Sequence, residues 1–572
     1  MSATTGSLVS RIYKGFRGVD FRSDEANFSR SPDCLNVWKD YKEIDSIRTR
    51  PGLELVCAFD EPVYNISYYG GFLYVHSGRN LYRVLNGEKT LLYDMMDDGP
   101  SVSFVFNDVW YIKCFGNYLM LKKGTIEEVA GYVPTTSIGR KPSGGGTPHE
   151  DVNILTNKRI NTFVADGESM TYYLDAKNID SSYDLKVFVN GVLADHEFTV
   201  NYEEGSITFS TSFGAPPAPL TDGQDNVSVE FGVFSSSSDN LYSFMYCKYA
   251  QVFDNRVFFA GYDGRTIWHS SLNDPTYVCD LDYYQDGTSG ASIRSMVAGN
   301  NALWVFSDYA LSDTTVFYHT PVIDSQYGKV YPSVHSSITA GCVGRAINFN
   351  DDIVFFSDRG MEGISGDITT EQALAHRSSL VDRKLTACLN TSDWRDKWKY
   401  KDMVLIEWEG YLFVFIDDKA YLADSRSKFT NGDHIEYEWF YWELGKTVYS
   451  AFVDDGVLYL GTDDGVYTLT DMDAHMESYW TTPKDRFGAA HKLKTTNKRG
   501  CVAEATGDVT VYAKVEDTDF EKIGDYKDVQ DYFVSRIKRK KFKDLQLKFH
   551  SNTRFSLESA TLEAWVGGYI KR

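Results

Sequence analysis

The sequence lacks several features that identify common classes of protein. Its 572 residues contain only eight cysteines, with no C-x-x-C pair and no Cys/His cluster, which excludes the usual zinc and dithiol motifs. We therefore expect buried free thiols in a chain assembled in a reducing compartment. No apolar run reaches the roughly 18 residues of a membrane span, and the N-terminus lacks the apolar core of a signal peptide. We expect no membrane partner.

Positive charge is scarce as well. The chain has 80 Asp and Glu against 58 Lys and Arg, which gives a net charge of −22. Proteins that grasp nucleic acid need clustered Lys and Arg to neutralise phosphates. The charge therefore argues against a DNA-grasping surface, but it is compatible with a surface past which DNA slides.

Motifs of enzymes are also missing. The eleven histidines form no H-x-H or H-E-x-x-H pattern, and the chain has no nucleophile elbow, P-loop or dinucleotide fingerprint. A glycosidase needs two suitably spaced carboxylates, and 80 acidic residues give no way to choose a pair. The sequence predicts no catalytic residue, no cofactor and no metal site.

Aromatic residues, by contrast, are abundant. The chain has 39 Tyr and 35 Phe, which raise the aromatic share to 15%. Because these residues favour strands, the composition predicts an all-β fold. Helical patterns are rare, and residues 371–389 form the one stretch that we interpret as a helix.

A hairpin motif recurs seven times. In each copy a polar or glycine-containing pair forms a turn, and the third residue after the turn is aromatic. The turns are Gly70-Gly71, Asn107-Asp108, Asp254-Asn255, Asn300-Asn301, Asp351-Asp352, Glu409-Gly410 and Asp455-Gly456. The aromatic residues are Tyr74, Tyr111, Phe258, Trp304, Phe355, Phe413 and Tyr459.

The spacing of these copies indicates the fold. Five of the six intervals lie close to the ~40–50-residue period of a four-stranded propeller blade. Such a blade cannot cover its own apolar faces, so blades stack around an axis. We therefore predict a β-propeller of about seven blades, in which the seven aromatic residues pack one blade against the next.

The acidic stretch Asp454–Asp464 also resembles a calcium loop. Other copies of the hairpin fill the same turn positions with glycine or asparagine, an exchange that a metal site would not tolerate. We interpret the stretch as hairpin turns.

Composition shifts divide the chain into five predicted regions. Residues 1–60 form an N-terminal segment that wraps the propeller or supplies a closing strand, and residues 61–138 form the first blades. Residues 139–240 form an inserted β-sandwich with flexible flanks, which contains an Asn190-Gly191 hairpin. Residues 241–474 form the remaining blades, and residues 475–572 form a C-terminal β-domain.

One dense basic run lies in the C-terminal region. It contains Arg536, Lys538, Arg539, Lys540, Lys541 and Lys543. The run is either a solvated strand or loop, or a contact with an acidic neighbouring subunit or with passing DNA. Because the whole molecule is acidic, the neighbouring subunit is the better partner of the two.

Two stretches resemble a known family. The first contains Gly18, Val19, Leu35, Asn36, Val37 and Trp38, followed by Arg50-Pro51-Gly52. The second contains Asn255, Arg256, Val257, Phe258, Phe259, Ala260 and Gly261, followed by Ser270, Asp274 and Pro275. Both are similar to segments of the tail nozzle proteins of short-tailed bacteriophages, also called head-to-tail stabilisation or tail tubular proteins.

This resemblance implies a propeller with inserted β-domains, present as a homohexameric ring in the virion tail and assembled in the host cytoplasm. It implies portal or adaptor proteins as partners above the ring and fibre or plug proteins below it. DNA would leave through the channel without specific binding. The alternative is a carbohydrate-binding or glycan-cleaving propeller, such as a receptor-binding tail protein.

Overall fold

The computed structural model describes most of the chain. The described residues are 6–24, 27–42, 46–195, 197–234, 238–262, 264–287, 290–308, 314–325, 328–365, 368, 373–389, 403–432, 434–471, 475–538 and 541–569. Two of the basic-run residues, Arg539 and Lys540, lie outside them. Strands account for 56% and helices for 4%, so the predicted all-β fold is confirmed.

Seven four-stranded antiparallel sheets form the blades of a propeller. The first three are blade 1 (Val63–Tyr69, Phe72–Ser77, Asn80–Leu85, Glu88–Tyr93), blade 2 (Val102–Phe106, Val109–Cys114, Asn117–Lys122, Thr125–Glu128) and blade 3 (Tyr249–Phe253, Arg256–Ala260, Thr266–His269, Tyr283–Gln285).

The other four blades follow in the second half of the chain. They are blade 4 (Ile293–Gly299, Ala302–Ser307, Val316–His319, Ser333–His335), blade 5 (Ala346–Phe349, Asp352–Ser357, Gly360–Ile364, Leu374–His376), blade 6 (Met403–Trp408, Tyr411–Ile416, Lys419–Asn431, His434–Glu443) and blade 7 (Val448–Asp454, Val457–Thr462, Gly465–Thr470, Gly52–Ala58). A separate hairpin, Val322–Asp324 with Gly328–Val330, branches from blade 4.

The chain forms two compact units, Met1–Pro100 with Ala291–Arg572, and Ser101–Gly290. In the first unit, blades 4, 5, 6, 7 and 1 follow one another, and each contacts the next through its first strand. In the second unit, blades 2 and 3 contact each other in the same way. First strands that meet in succession are the arrangement of a propeller, because the innermost strands surround the axis.

The N-terminal segment contributes to two sheets. Its strand Gly52–Ala58 pairs with Gly465–Thr470 and so becomes the fourth strand of blade 7. Blade 7 therefore combines one strand from the N-terminal segment with three strands that lie about 400 residues later in the chain. Blade 1 begins five residues after the strand Gly52–Ala58. The shorter strands Ser7–Tyr13, Cys34–Leu35, Val37–Trp38 and Ile47–Thr49 belong to the sheet of the C-terminal region.

The C-terminal region forms a ten-stranded sheet with these N-terminal strands. Its own strands are Ser478–Thr481, Lys492–Val515, Glu521–Val529, Tyr532–Ser535, Leu545–Ser551 and Phe555–Tyr569. The long strand Lys492–Val515 pairs with four of the others and is the centre of the sheet.

Two sheets of the second unit form a sandwich inserted between blades 2 and 3. A six-stranded sheet contains Thr135–Arg140, Thr147–Pro148, Lys158–Phe163, Lys186–Val189, Val192–Leu193 and Val227–Gly232, and a three-stranded sheet contains Thr171–Tyr173, Phe198–Asn201 and Ser206–Phe209. Phe163 and Tyr172 bring the two sheets together, with ring centroids 5.4 Å apart. Asn190 and Gly191 both have positive φ, as the predicted hairpin turn requires.

The predicted helix at 371–389 is largely wrong. Only Asp382–Leu389 is helical, whereas Leu374–His376 forms the outer strand of blade 5. These three residues pair with Glu362–Ile364, and the gain from completing a blade edge exceeds a local helical preference. A second helix, Ser238–Met245, lies at the end of the inserted region, and Thr211–Phe213 forms a 3₁₀ turn.

The acidic stretch Asp454–Asp464 is a hairpin of blade 7. Asp455 and Gly456 have φ of 44° and 78°, the left-handed values of a tight turn. Asp464 accepts hydrogen bonds from Lys446 and from Thr462 Oγ1.

All eight cysteines are free thiols, and seven of them are buried. In the described parts of the chain, no helix is both long enough and apolar enough to cross a membrane.

Gly18 lies at a close approach of the N-terminal segment to blade 6. Its φ is +92°, and a Cβ at this position would lie 1.9 Å from the carbonyl oxygen of Trp439. The neighbouring Val19 amide donates to that same oxygen at 2.7 Å. Only glycine fits here, because both the backbone conformation and the contact exclude a side chain.

We predict that Gly18→Ala lowers the free energy of unfolding by about 3–5 kcal/mol, because the new methyl group must displace backbone. The matched control is Gly15→Ala, where φ is also positive but no atom lies within 4 Å of the built Cβ. The control should lose only about 1–2 kcal/mol. Denaturant unfolding followed by tryptophan fluorescence measures both, and equal losses would contradict the close contact.

Candidate interaction surface

Six of the seven predicted blade aromatics are buried, and Tyr459 is partly buried. The six buried residues are Tyr74, Tyr111, Phe258, Trp304, Phe355 and Phe413. Each lies in the second strand of its blade. The turns that precede these strands have two successive residues with positive φ.

One predicted turn is displaced by a residue. In blade 5 the residues with positive φ are Asn350 and Asp351, not Asp351 and Asp352. Asp352 is the first residue of the strand and pairs with Phe349, so Phe355 is the fourth residue after the turn. Asn350 suits the left-handed conformation, and Asp352 is occupied elsewhere, accepting from Arg377 and Tyr437.

The aromatic residues take different positions relative to neighbouring blades. Phe355 lies 5.1 Å from Phe306, and this pair joins blades 5 and 4. Tyr111 stacks on Phe104, whose ring is 6.1 Å from Phe259 of blade 3. Trp304 and Tyr459 belong to the clusters between blades 4 and 5 and between blades 7 and 1.

Phe258 and Phe413 contact rings of their own blade. Phe258 contacts Phe253 and His269 within blade 3. Phe413 lies in a dense aromatic cluster with Phe415 and Trp442 of blade 6.

The described residues of the basic run lie outside the strands of the C-terminal sheet, between Tyr532–Ser535 and Leu545–Ser551. Its described cationic residues are exposed: Arg536, Lys538, Lys541 and Lys543. Phe542 between them is fully buried, and its backbone exchanges two hydrogen bonds with Lys494, of 2.8 and 2.9 Å. The loop is therefore fixed at its base while its charges face solvent.

Lys494 holds this loop through hydrogen bonds of its side chain as well as of its backbone. Its side chain is fully buried, and Nζ donates to the carbonyl oxygens of Ala489 and Lys543. Burial lowers the pKa of Lys494. The Lys543 amide donates to Glu516 Oε1 at 3.0 Å, which holds the other side of the loop.

The residues of the first family-like stretch form a buried network. Asn36 adopts a left-handed conformation with φ of 53°. Its Oδ1 accepts from Arg50 Nε at 3.0 Å and from the Glu443 amide at 2.9 Å, while its Nδ2 donates to the Glu477 carbonyl. One side chain thus connects blade 6 to the start of the C-terminal region.

Arg50 completes the network. Its guanidinium donates to the carbonyl oxygens of Pro51 and Glu443 as well as to Asn36. Burial lowers its pKa to about 10. A buried cation is costly unless its donors are satisfied, and these carbonyls satisfy them.

Trp38 packs in the same place. It stacks on Trp408 at 5.9 Å and meets Trp442 edge-on at 5.5 Å. The Trp442 indole donates to the Val37 carbonyl. This strand of the N-terminal segment is thereby fastened to blade 6.

The second family-like stretch has a comparable role inside blade 3. Arg256 donates to the Ser270 carbonyl at 2.7 Å, and the Val257 amide donates to Ser270 Oγ at 3.0 Å. Asp274 Oδ1 accepts from both the amide and the hydroxyl of Thr276. These bonds define the turn after the third strand.

A charged cluster at the end of blade 5 was not predicted. His376 lies between two carboxylates, with Nε2 2.6 Å from Asp382 and Nδ1 3.2 Å from Glu362. Ser378 Oγ donates to Asp382 at 2.6 Å. Burial lowers the pKa of His376, but the hydrogen bonds and charges of Asp382 and Glu362 outweigh it and raise the pKa to about 10.

A second group of buried charges surrounds blade 6. Arg30 forms a bidentate pair with Glu438, at 2.7 and 2.8 Å, and Arg377 pairs with Asp352. Arg30 and Glu438 are 408 positions apart, so no local pattern could have identified them. The Arg30–Glu438 pair joins the N-terminal segment to the strand His434–Glu443. The Arg377–Asp352 pair lies within blade 5 and contacts the same strand through hydrogen bonds, from Arg377 to the Ile435 carbonyl and from the Tyr437 hydroxyl to Asp352.

The inserted sandwich contains a cavity of about 340 Å³. It is lined by Thr162, Asn190, Gly191, Leu220, Asp225, Asn226, Val227 and Ser228. No aromatic residue lines it. Asp225 is engaged there, because its carboxylate accepts from the Gly139 amide and from Thr162.

No family model and no curated protein matches the chain. Solved structures similar to it include BamB from Moraxella catarrhalis, with 12% identity and a TM-score of 0.34 over 74% of this chain and 97% of that one. YCF48 bound to D1 peptide has 7% identity and a TM-score of 0.31 over 74% and 99%. Apo AztD from Citrobacter koseri has 8% identity and a TM-score of 0.31 over 96% and 99%. These values carry no information on what this chain binds.

We predict that truncating blade aromatics has unequal effects. Phe355→Ala should lower the free energy of unfolding by about 3–5 kcal/mol, because it opens a cavity between blades 4 and 5. Tyr459→Ala, at a partly buried position, should lower it by about 1–2 kcal/mol. Denaturant unfolding of both variants is the measurement, and a larger loss for Tyr459 would contradict the described packing.

We predict a pH-dependent contribution from His376. Its folded pKa lies above the ordinary value, so its stabilisation is fully present below pH about 6.5 and is lost as pH rises towards about 10. His376→Gln should therefore cost about 2 kcal/mol at pH 6 and little at pH 10. Thermal unfolding of both proteins across this range tests it; a difference that stays constant with pH would contradict the ion pairs.

Proposed function

We propose that this protein is a non-enzymatic structural component of a virion, which forms the tail nozzle or connector ring of a short-tailed phage. The ring would provide a channel for genome ejection and an attachment platform for other tail proteins. The observation that carries the proposal is the position of the family-like residues Asn36, Trp38 and Arg50. They form the buried network between blade 6 and the C-terminal region.

This position supports a role in assembly. Residues that resemble a family signature are often catalytic or ligand-binding, and such residues point into a cleft. Here they are used to hold an accessory β-sheet against the propeller. A connector needs such rigidity, because its partners attach to the accessory domains while the ring stays closed.

The charge of the chain supports passage of DNA. Each copy carries −22, so a ring of six copies repels phosphates wherever its acidic residues face the channel. Repulsion prevents the leaving genome from binding to the wall. A basic channel lining in an image of the assembled ring would contradict this part of the proposal.

The second candidate is a carbohydrate-binding or glycan-cleaving propeller, and one feature favours it. Tyr242 is half exposed, and its ring lies 4.3 Å from Tyr246 and 5.4 Å from Tyr262. Clustered aromatic rings at a surface suit stacking against sugars. The cavity of the inserted sandwich lacks such rings, so the tyrosine cluster is the site that this alternative would use.

We expect the purified chain to form closed rings of six copies of the 64.8 kDa subunit, alone or with its adaptor protein. Mass photometry and negative-stain images measure the copy number and the symmetry. Hydrolysis of host surface glycans by a chain that stays monomeric would instead establish the alternative. In that case Tyr242→Ala should reduce glycan binding, whereas a ring-forming chain should be unaffected by it.

A further inference from the structure

The C-terminal sheet has an outer face that carries exposed apolar side chains. We define the outer face by Leu8, Ile12, Tyr532, Val534 and Trp565, which are 45%, 53%, 62%, 46% and 47% exposed. Five large apolar or aromatic residues at this exposure on one sheet are unusual for a surface that only meets water.

The strand register places these residues side by side. Ile12 pairs with Thr561, Thr561 with Val502, and Val502 with Val534, so one row crosses four strands. Leu8 pairs directly with Trp565 two rows further along, beyond the row of Ser10 and Glu563. Because side chains alternate along a strand, all five residues lie on the same face of the sheet.

The opposite face of the same strands is buried. Tyr13, Leu562 and Ala564 alternate with the exposed residues and are at most 1% exposed. This alternation shows that the core is already complete on the inner side. The outer face is therefore not a core surface left open by the fold of this chain.

Acidic residues also lie on and beside the outer face, and two of them, Glu504 and Glu563, have partners within it. Glu504 is the cross-strand partner of Tyr532, raises the pKa of its hydroxyl, and accepts a hydrogen bond from Ser559. Asn497 Nδ2 donates to Glu563 at 2.6 Å. These carboxylates are held in place and add polar contacts among the apolar residues.

The basic run borders this face. Strand Tyr532–Ser535 leads directly into Arg536, and the exposed cations Lys538, Lys541 and Lys543 follow on the loop held by Phe542. An apolar centre with a charged rim is the usual anatomy of a protein–protein interface.

The charge distribution indicates the partner. Residues 475–572 contain 19 Lys and Arg against 14 Asp and Glu, a net charge of +5. Residues 1–474 carry the remaining −27, and the inserted region 139–240 alone has 15 acidic and 6 basic residues. Residues 475–572 are thus basic and residues 1–474 are acidic. The C-terminal region of one copy is therefore attracted to residues 1–474 of the next copy.

We propose that the outer face with its basic rim is the subunit interface of the ring, and that it takes an acidic surface from residues 1–474 of a second copy. This inference rests on the proposed ring. A contact between two different surfaces of the same kind of subunit is heterologous, and heterologous contacts are the ones that can close a ring. A symmetric pairing of two outer faces would bring two basic domains together and is disfavoured.

The rim is tested by charge reversal. We expect Arg536→Glu with Lys538→Glu to weaken ring assembly about tenfold or more, and added salt to weaken the unmodified ring. The matched control is Lys123→Glu with Lys177→Glu, which makes the same change in net charge at exposed positions outside the C-terminal region. The control should leave assembly within about twofold.

The apolar centre is tested by Ile12→Ser with Trp565→Ser, against Leu85→Ser with Leu91→Ser at equally exposed positions of blade 1. Loss of a tryptophan anchor should weaken assembly about tenfold or more. Mass photometry over a concentration series gives each value. Carbodiimide cross-linking can be applied to a mixture of isotopically heavy and light copies, so that cross-links between copies are recognised by mass. It should join lysines of the basic run to carboxylates within residues 1–474 of another copy.

The outcomes separate this inference from the proposed function. If rings form and the rim and apolar variants assemble like the unmodified chain, the interface is overturned and the ring stands. The interface is also overturned if the control variants weaken assembly as much as the rim and apolar variants do. It is likewise overturned if the rim variants lose binding to duplex DNA while they still assemble. If the unmodified chain stays monomeric under every condition and gives no cross-links between copies, both the ring and the interface fail.

Discussion

The hydrogen bonds of Asn36 are the interaction on which the first unit depends. The amide oxygen of Asn36 accepts hydrogen bonds from Arg50 and from the Glu443 amide at the end of blade 6. Its amide nitrogen donates to the Glu477 carbonyl at the start of the C-terminal region. All of these groups are buried or partly buried, so an unmade bond would leave a donor or acceptor without water. The network therefore fixes how the accessory sheet meets the propeller, with a geometry that apolar packing alone would not specify.

Two kinds of packing coexist in the propeller. Between blades 4 and 5, and likewise between blades 7 and 1 and between blades 2 and 3, the contacts are apolar, as in the Phe306–Phe355 pair. Around the strand His434–Glu443 the contacts are polar and ionic: Arg30 pairs with Glu438, Arg377 donates to the Ile435 carbonyl, and Asp352 accepts from the Tyr437 hydroxyl. Buried ion pairs contribute little net stability, but they penalise every alternative arrangement that separates the charges. This combination suits a propeller whose blade 6 must carry an additional domain in one orientation.

The molecule also separates its charges along the chain. The acidic excess lies in residues 1–474, and the small basic excess lies in residues 475–572. Within one chain the basic loop is held by neutral carbonyls and by Glu516, and its ammonium and guanidinium groups face outward. The hydrogen bonds that hold this loop thus involve its backbone, whereas the described cationic side chains are exposed.

The sequence by itself determined the features that depend on neighbouring residues. Tight turns such as Asp455-Gly456 and Asn190-Gly191 were predictable because few residue pairs tolerate successive left-handed conformations. The all-β propeller followed from their recurrence. The tertiary structure alone decided that Leu374–His376 completes a blade, that His376 meets Asp382 and Glu362, and that Asn36 contacts Glu443, 407 positions away. Such contacts depend on where strands pair in space, and neither composition nor periodicity encodes that.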